Sequence, residues 1–487
     1  MSATRKHLQV CAAVAALSFG LGGCAAVPDL GPKPVPRAAE TVAADRSFAG
    51  ATAAWPGDTW WTAFGDPQLT ALIDEGLRNS PDMAAAAARF RKAAGMAQQA
   101  GAPLLPSVDA GGKASLNKQS YNNGFPKEFV PQGWLDTGDV SASLGFDLDL
   151  WGKHRAALAA ATSEVKAAGY DAQQARLALA TGIADAYTDL ARLYEERDIR
   201  QATLKLRTAS RDLVAQRQRN GLETRGSERQ ADATVATARA ELAAAQEAIT
   251  LRTNQIAALI GAGPDRGLDI ARPRLSLPAA GGLPAGVTTD LVARRPDIAG
   301  ALARVEAAGS RIKVARADFY PAISLNALIG LQSLGLDQLF KKDSLYGNVG
   351  PAISLPIFHG GAISGQYRSA RATYDEAVAD YDRTVLGAYQ DVADAMTSRT
   401  MLAQRLADAR AALAASQQAY DIARLRYQGG LSTYIDVLNV EDRLLIARDT
   451  VAALEARAYT LDIALIRALG GGFQTANNSE SKDQTDG

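Results

Sequence analysis

Few side chains in this sequence are spaced for covalent chemistry. The three histidines, His7, His154 and His359, are too scattered for a His-rich metal site. No Gly-x-Ser-x-Gly, His-Glu-x-x-His or phosphate-loop pattern occurs. Gly261-Ala262-Gly263 lacks the Lys-Ser/Thr that phosphate binding requires and reads as a helix stop. Neither an enzyme nor a cofactor or metal is expected. The residue whose setting does suggest chemistry is Cys24. It closes a short apolar run, with Leu21 three residues ahead and Gly22-Gly23 between.

The run begins after Arg5 and Lys6 and extends from Leu8 to about Leu21. It is too short for a comfortable membrane span and has the layout of a secretory signal peptide over residues 1–23. Leu21-Gly22-Gly23-Cys24 resembles a bacterial lipobox. That resemblance implies cleavage before Cys24, with S-diacylglycerol and N-palmitoyl groups on the new terminus. Cys11 lies inside the removed segment, so the mature chain has a single thiol and no disulfide. Packing and assembly must then supply the stability. Residue 25 is Ala rather than Asp, which favours delivery to the outer membrane.

Formal net charge is zero and no long basic run appears, so nucleic acid is not an expected partner. The mature chain has no uninterrupted apolar run of transmembrane-helix length. Residues 24–59, with Pro28, Pro32, Pro34 and Pro36, read as an N-terminal tether held at the lipid-bearing Cys24. Between them and a polar, disordered tail at 473–487 the sequence nearly repeats itself. Pro81-Asp82 recurs as Pro296-Asp297, and Pro106 as Pro321. Gly221-Leu222-x-Thr224 recurs as Gly430-Leu431-x-Thr433, and Gly261 as Gly470. This marks a tandem duplication, 60–261 and 287–472, joined by a Pro- and Gly-rich linker at 262–286.

Each copy opens with two alternating segments. Val108, Ala110, Gly112, Ala114 and Leu116 oppose Ser107, Asp109, Lys113, Ser115 and Asn117. Between Asp139 and Leu150, Val140, Ala142, Leu144, Phe146, Leu148 and Leu150 oppose Ser141, Ser143 and three aspartates. The second copy repeats the pattern with Ile323 to Leu331 and Val349 to Ile357. Each run is long enough for a tilted strand to cross a bilayer. Four strands cannot close a barrel, and an open edge is not tolerated in lipid. Two copies would give eight strands with a filled interior, and three would give twelve with room for a conduit.

Long helical patterns follow each strand pair. Lys153 to about Arg219 contains no proline. In the second copy Tyr374, Val378, Tyr381, Val385, Ala388, Val392, Ala395, Leu402, Leu406, Ala409, Leu413 and Tyr420 form a heptad seam. Arg399 and Ser416 are its polar members. The seam alone also suits a homodimeric rod. Each stretch stops at a glycine turn, Asn220–Thr224 and Gly429–Thr433, and resumes as the second arm of a hairpin. Thr433-x-x-Asp436 matches a capping box with Asp in the Glu position. Gly221-Leu222 and Gly430-Leu431 would cap the two hairpins, with leucines exposed at the apices for a partner.

Across residues 24 to 473 the chain resembles the lipoprotein branch of the TolC/OprM-like outer-membrane efflux proteins. The resemblance rests on Trp60-Trp61-x-x-Phe64-Gly65-Asp66-Pro67, Asn79-Ser80-Pro81-Asp82, Phe146-Asp147-Leu148-Asp149-Leu150-Trp151-Gly152, Arg294-Arg295-Pro296-Asp297, Phe319-Tyr320-Pro321, Leu355-Pro356-Ile357-Phe358 and Tyr427-Gln428-Gly429-Gly430. It implies an α+β membrane protein whose four transmembrane strands join those of two other copies. The result is a homotrimeric twelve-stranded barrel continued by an α-helical periplasmic tunnel. It implies the exit duct of a tripartite pump, with a periplasmic adaptor, an inner-membrane RND-type pump and outer-membrane lipid as partners. It also implies that Asp436 rings the periplasmic gate, where the second acidic position is Asn439 and the nearby Arg position is Ser432. A structural periplasmic coiled-coil lipoprotein and the duct of a type I secretion system are the alternatives.

Overall fold

The computed structural model describes residues 27–49, 52–122, 124–276 and 282–475. The signal segment, Cys24 and the tail beyond 475 lie outside the described residues. The duplication is explicit in the order of elements. The first copy runs α1 (Pro67–Asn79), α2 (Pro81–Gly101), β1 (Ser107–Asn117), β2 (Leu135–Asp147), α3 (Lys153–Arg219) and α4 (Arg225–Leu259). The second runs α5 (Val287–Arg294), α6 (Pro296–Ala317), β3 (Ala322–Leu334), β4 (Leu345–Ser354), α7 (Ala362–Gln428) and α8 (Tyr434–Ala468). Helices α3 and α7 both have 67 residues, and α4 and α8 both have 35. At 1.5 Å per residue the longer helices measure about 100 Å each.

The repeated sequence landmarks mark where each copy folds back on itself. Pro81 and Pro296 open α2 and α6, where proline costs no hydrogen bond. Gly261 and Gly470 follow α4 and α8 with φ of +79° and +87°. A Cβ on Gly261 would run into the Asn79 carbonyl, and one on Gly470 into that of Arg294. The end of each hairpin therefore presses against the break between the first two helices of its own copy, and only glycine fits there.

Two compact units emerge. One contains residues 27–36, Phe90–Ala167 and Ala301–Asp380, and it carries the sheet. The sheet is antiparallel in the order β1-β2-β3-β4. Its register keeps the alternation in phase across all four strands. Val108, Leu144, Ala327 and Val349 form one row, and Gly112, Val140, Leu331 and Leu345 another. Ser107, Gly145, Asn326 and Gly350 lie on the opposite face. Leu328, opposite Ser143 and Asn348, is an apolar exception on that face.

Two strand ends differ from expectation. Leu148 and Leu150 fall outside β2. Asp147 accepts the Asp149 N–H at 3.0 Å, and Asp149 adopts φ +44°. The Asp149 carboxylate then accepts the N–H groups of His154 and Arg155 at 2.8 and 3.0 Å, starting α3. Leu355 and Ile357 fall outside β4, since Pro356 has no N–H for the ladder. Residues 27–36, with Gly31 at φ +71°, are laid along α7. Arg371 donates to the Gly31 and Pro32 carbonyls, and the Tyr374 hydroxyl donates to Pro34 at 3.1 Å.

The second unit holds the described residues of Arg37–Arg89 and Ala168–Gly300, with residues 381–475. Trp60, Trp61 and Phe64 pack edge-to-face into a core with Leu72, Ile183, Tyr187, Ile256 and Ile463. Asp66 caps α1 through the Gln68 N–H at 2.9 Å and accepts the Tyr187 hydroxyl at 2.7 Å. Pro264–Leu268 form a helical turn, and Leu283–Pro284 pair in parallel with Thr52–Ala53. The α7 seam is buried from within the chain: Leu402 packs with Leu454 and Leu461, and Tyr420 with Val214, Ala231 and Tyr434. Its polar member Arg399 reaches Asp462 at 3.4 Å. No second copy is needed to fill these stretches.

Candidate functional site

Among the described residues, those the sequence singles out lie at the two hairpin ends and on the sheet. Its apolar face is bare in the single chain: Val108 is 71 %, Val349 77 % and Ile353 70 % exposed. So large an apolar surface requires lipid or protein against it. The strands span ten to thirteen residues, the length a tilted transmembrane strand needs. The loops 118–134 and 335–344 leave from one end of the sheet and carry exposed Phe125, Phe129, Trp134 and Phe340. At the other end Trp151, Ile357 and Phe358 are exposed, and Trp151 stacks on Tyr320 at 4.8 Å. Aromatic residues at both ends match the two interfacial girdles of membrane barrels. Among the described residues, strands β1 and β4 each pair on one side only, leaving two open edges.

The hairpin ends are built twice with the same bonds. Gly221 and Gly430 have φ of +72° and +76°. Their N–H groups donate to Gln218 and Tyr427, both at 3.0 Å. The Leu222 and Leu431 N–H groups donate to Arg217 and Arg426, both at 2.8 Å. This double bond pattern is a Schellman stop, which turns the chain sharply and leaves the next side chain outside. Leu222 is 64 % and Leu431 73 % exposed. Helix α4 then restarts from Thr224, whose hydroxyl accepts the Ser227 N–H at 3.1 Å. Helix α8 restarts from a full capping box between Thr433 and Asp436. The Asp436 carboxylate accepts the Thr433 N–H at 2.9 Å and the Thr433 hydroxyl at 2.8 Å, which holds it below the usual carboxylate range. Asp436 and Asn439 are both exposed, about one turn apart.

The structure adds residues that sequence reasoning missed. The Tyr427 hydroxyl donates to Glu223 at 3.0 Å, and the Arg217 guanidinium lies 4.9 Å from the Tyr427 ring centre. These contacts tie the two hairpin ends together. Burial works to raise the Glu223 carboxyl, but hydrogen bonds from Ser227, Thr224 and Tyr427 outweigh it and lower the titration. Two turns beyond the Thr433 cap, Glu441 is fully buried and pairs with Arg207 at 3.0 Å; Arg207 also reaches Asp442 at 2.9 Å. Burial pushes the Glu441 carboxyl up despite the guanidinium. Each pair joins residues more than 200 positions apart, so no local pattern announces it.

Residues 72–262 and 287–471 match the model of the outer membrane efflux protein family, one match for each copy. This chain belongs to the outer membrane efflux protein family. Its fold is therefore that of the family's outer-membrane channels, trimeric barrels continued by a helical tunnel. The pyoverdine export outer membrane protein OpmQ of Pseudomonas aeruginosa is 32 % identical over 421 residues, covering 85 % of this chain and 88 % of that protein. The fusaric acid resistance protein FusA of Burkholderia cepacia is 35 % identical over 368 residues, 74 % of this chain and 69 % of that one. The outer membrane protein VceC of Vibrio cholerae superposes with a TM-score of 0.80 at 43 % identity, covering 86 % of this chain and all of that one. As an efflux family member, this chain is an outer-membrane exit duct, and its family is one of channels rather than enzymes.

Proposed function

We propose that three copies of this chain assemble into the exit duct of a tripartite efflux pump that exports small molecules. The observation that carries this reading is the sheet: one apolar face in register over four strands, and two unpaired edges. Edges are not tolerated in lipid, so the strands must continue into other copies. Three chains supply twelve strands, enough for a wet lumen lined by the polar face. The relatives' names, one for pyoverdine export and one for fusaric acid resistance, support a small-molecule cargo. Acylation at Cys24 would anchor the mature terminus in the outer membrane, and residues 27–36 laid along α7 would carry the chain away from it. Leu222 and Leu431 are exposed for an adaptor's apolar surface, and Asp436 with Asn439 would line the periplasmic gate. The test is dye efflux in a Gram-negative host lacking its own duct, supplied with this chain and the adaptor and pump that co-purify with it. Restored efflux is expected. An inserted trimer that leaves the dye inside would refute the assignment.

A further inference from the structure

Beneath the sheet, at the end opposite the loops, a groove of 560 Å³ opens between the start of α3 and the end of α6. Trp151 and Tyr320 form one wall as a stacked pair, and the Trp151 indole N–H donates to the Pro321 carbonyl at 2.7 Å. The floor is small, and the rim carries Arg155, Lys313, Arg316 and Ser310. Arg155 is neutralised by Asp149, with Nε to Oδ2 at 3.1 Å, and nearby Asp318 is taken by Lys153 at 2.7 Å. Lys313 and Arg316 are exposed, one helical turn apart, and no described carboxylate pairs with either. The groove is thus an aromatic wall facing uncompensated positive charge, at the level where the strands end.

We propose that this groove binds the headgroup of an anionic phospholipid, with Lys313 and Arg316 holding the phosphate and the Trp151–Tyr320 pair lying along the glycerol and upper acyl chain. The inference rests on the reading that the four strands cross a bilayer. Three features select lipid as the occupant. Trp and Tyr partition to the membrane interface, and exposed Ile357 and Phe358 mark the same end of the sheet as apolar. Basic pockets beside membrane segments favour anionic headgroups. The groove also lies where β2 leaves and β3 enters the sheet, the central pair of the order β1-β2-β3-β4. Other copies join at the outer edges, so assembly leaves this position facing its surroundings.

The experiment uses the full-length protein reconstituted in nanodiscs containing phosphatidylglycerol, brominated on its upper acyl chain, in a phosphatidylcholine background. Quenching of Trp151 is taken as the difference between wild type and Trp151→Phe. Quenching should saturate at low phosphatidylglycerol fractions, and a Lys313→Gln/Arg316→Gln variant should need about thirty-fold more of it, from roughly a five-fold contribution per cation. Inorganic phosphate at millimolar level should not displace the lipid. Heat-modifiable migration confirms insertion of each variant. An inserted wild type quenched equally by brominated phosphatidylcholine, or a double variant with unchanged dependence, would overturn the site while leaving the channel assignment intact. Displacement by phosphate would make it a free-anion site, and absence of quenching in an inserted trimer would place the groove on the lumen side; either result overturns the proposal. Failure of the wild type to insert would overturn this inference and the channel assignment together.

Discussion

Arginine at Ile329 should prevent the barrel from forming, whereas arginine at Asn326 should not. Ile329 lies near the middle of β3, paired with Ala142 and Gly347, and is 61 % exposed on the apolar face. Asn326 is three residues away on the opposite face, in the row with Ser107 and Gly145, and is also exposed. Arginine facing lipid at the midplane costs about 2–4 kcal/mol. A trimer carries the substitution three times, so Ile329→Arg should cost about 6–12 kcal/mol per barrel, roughly four to nine decades in assembly. Asn326→Arg faces the wet lumen and should cost little. Leu144 shares the apolar face but sits three residues from the end of β2. Leu144→Arg should therefore fall between the two, because the penalty fades toward the interface. The assay is the fraction of heat-modifiable trimer recovered in vesicles. Equal recovery of Ile329→Arg and Asn326→Arg, or a larger loss for Asn326→Arg, would refute the assignment of faces.

Cys24→Ser should abolish palmitate labelling while the barrel still inserts, since the sheet supplies its own membrane affinity; label retained by the Cys24→Ser protein would end the lipoprotein claim. Leu431→Ser removes a side chain that is 73 % exposed, so burial against an adaptor would contribute about 1–2 kcal/mol and its loss should weaken adaptor pull-down roughly five- to thirty-fold with the trimer intact. Asp436→Ala should admit vancomycin to cells, modestly because Asn439 adds no charge; unchanged sensitivity would leave Asp436 with its capping role alone. The Asp436 carboxyl is held low by its bonds to Thr433, so its contribution is present above the ordinary carboxylate pKa and is lost only as pH falls through the lowered folded value. Vancomycin entry through the native protein should thus stay flat from neutral pH to about pH 5, and a rise in that window would contradict the geometry.

The duplication, the strand faces and the glycine stops were legible because each is a local pattern. Period two marks the strands, period three-and-a-half marks α7, and a glycine before Leu-x-Thr marks both hairpin ends. Two kinds of feature were not legible. Strand ends depend on what the next residue bonds: alternation continued through Leu148 and Leu150, but Asp149 was already capping α3. The side chains that join hairpin ends, Tyr427 to Glu223 and Arg207 to Glu441, meet only after the copies pack together. A heptad seam also does not name its partner. The α7 seam would serve a second chain, and the fold supplies α8 and α3 instead.

The central claim is that three chains share one pore. Its most direct test is single-channel recording of purified protein in a planar bilayer, with the mass of the same sample taken by native mass spectrometry. Uniform conductance steps from a species of three chains are the predicted result. Conductance from a species of one or two chains, or a membrane-inserted trimer that passes no current at any voltage or pH, would contradict it.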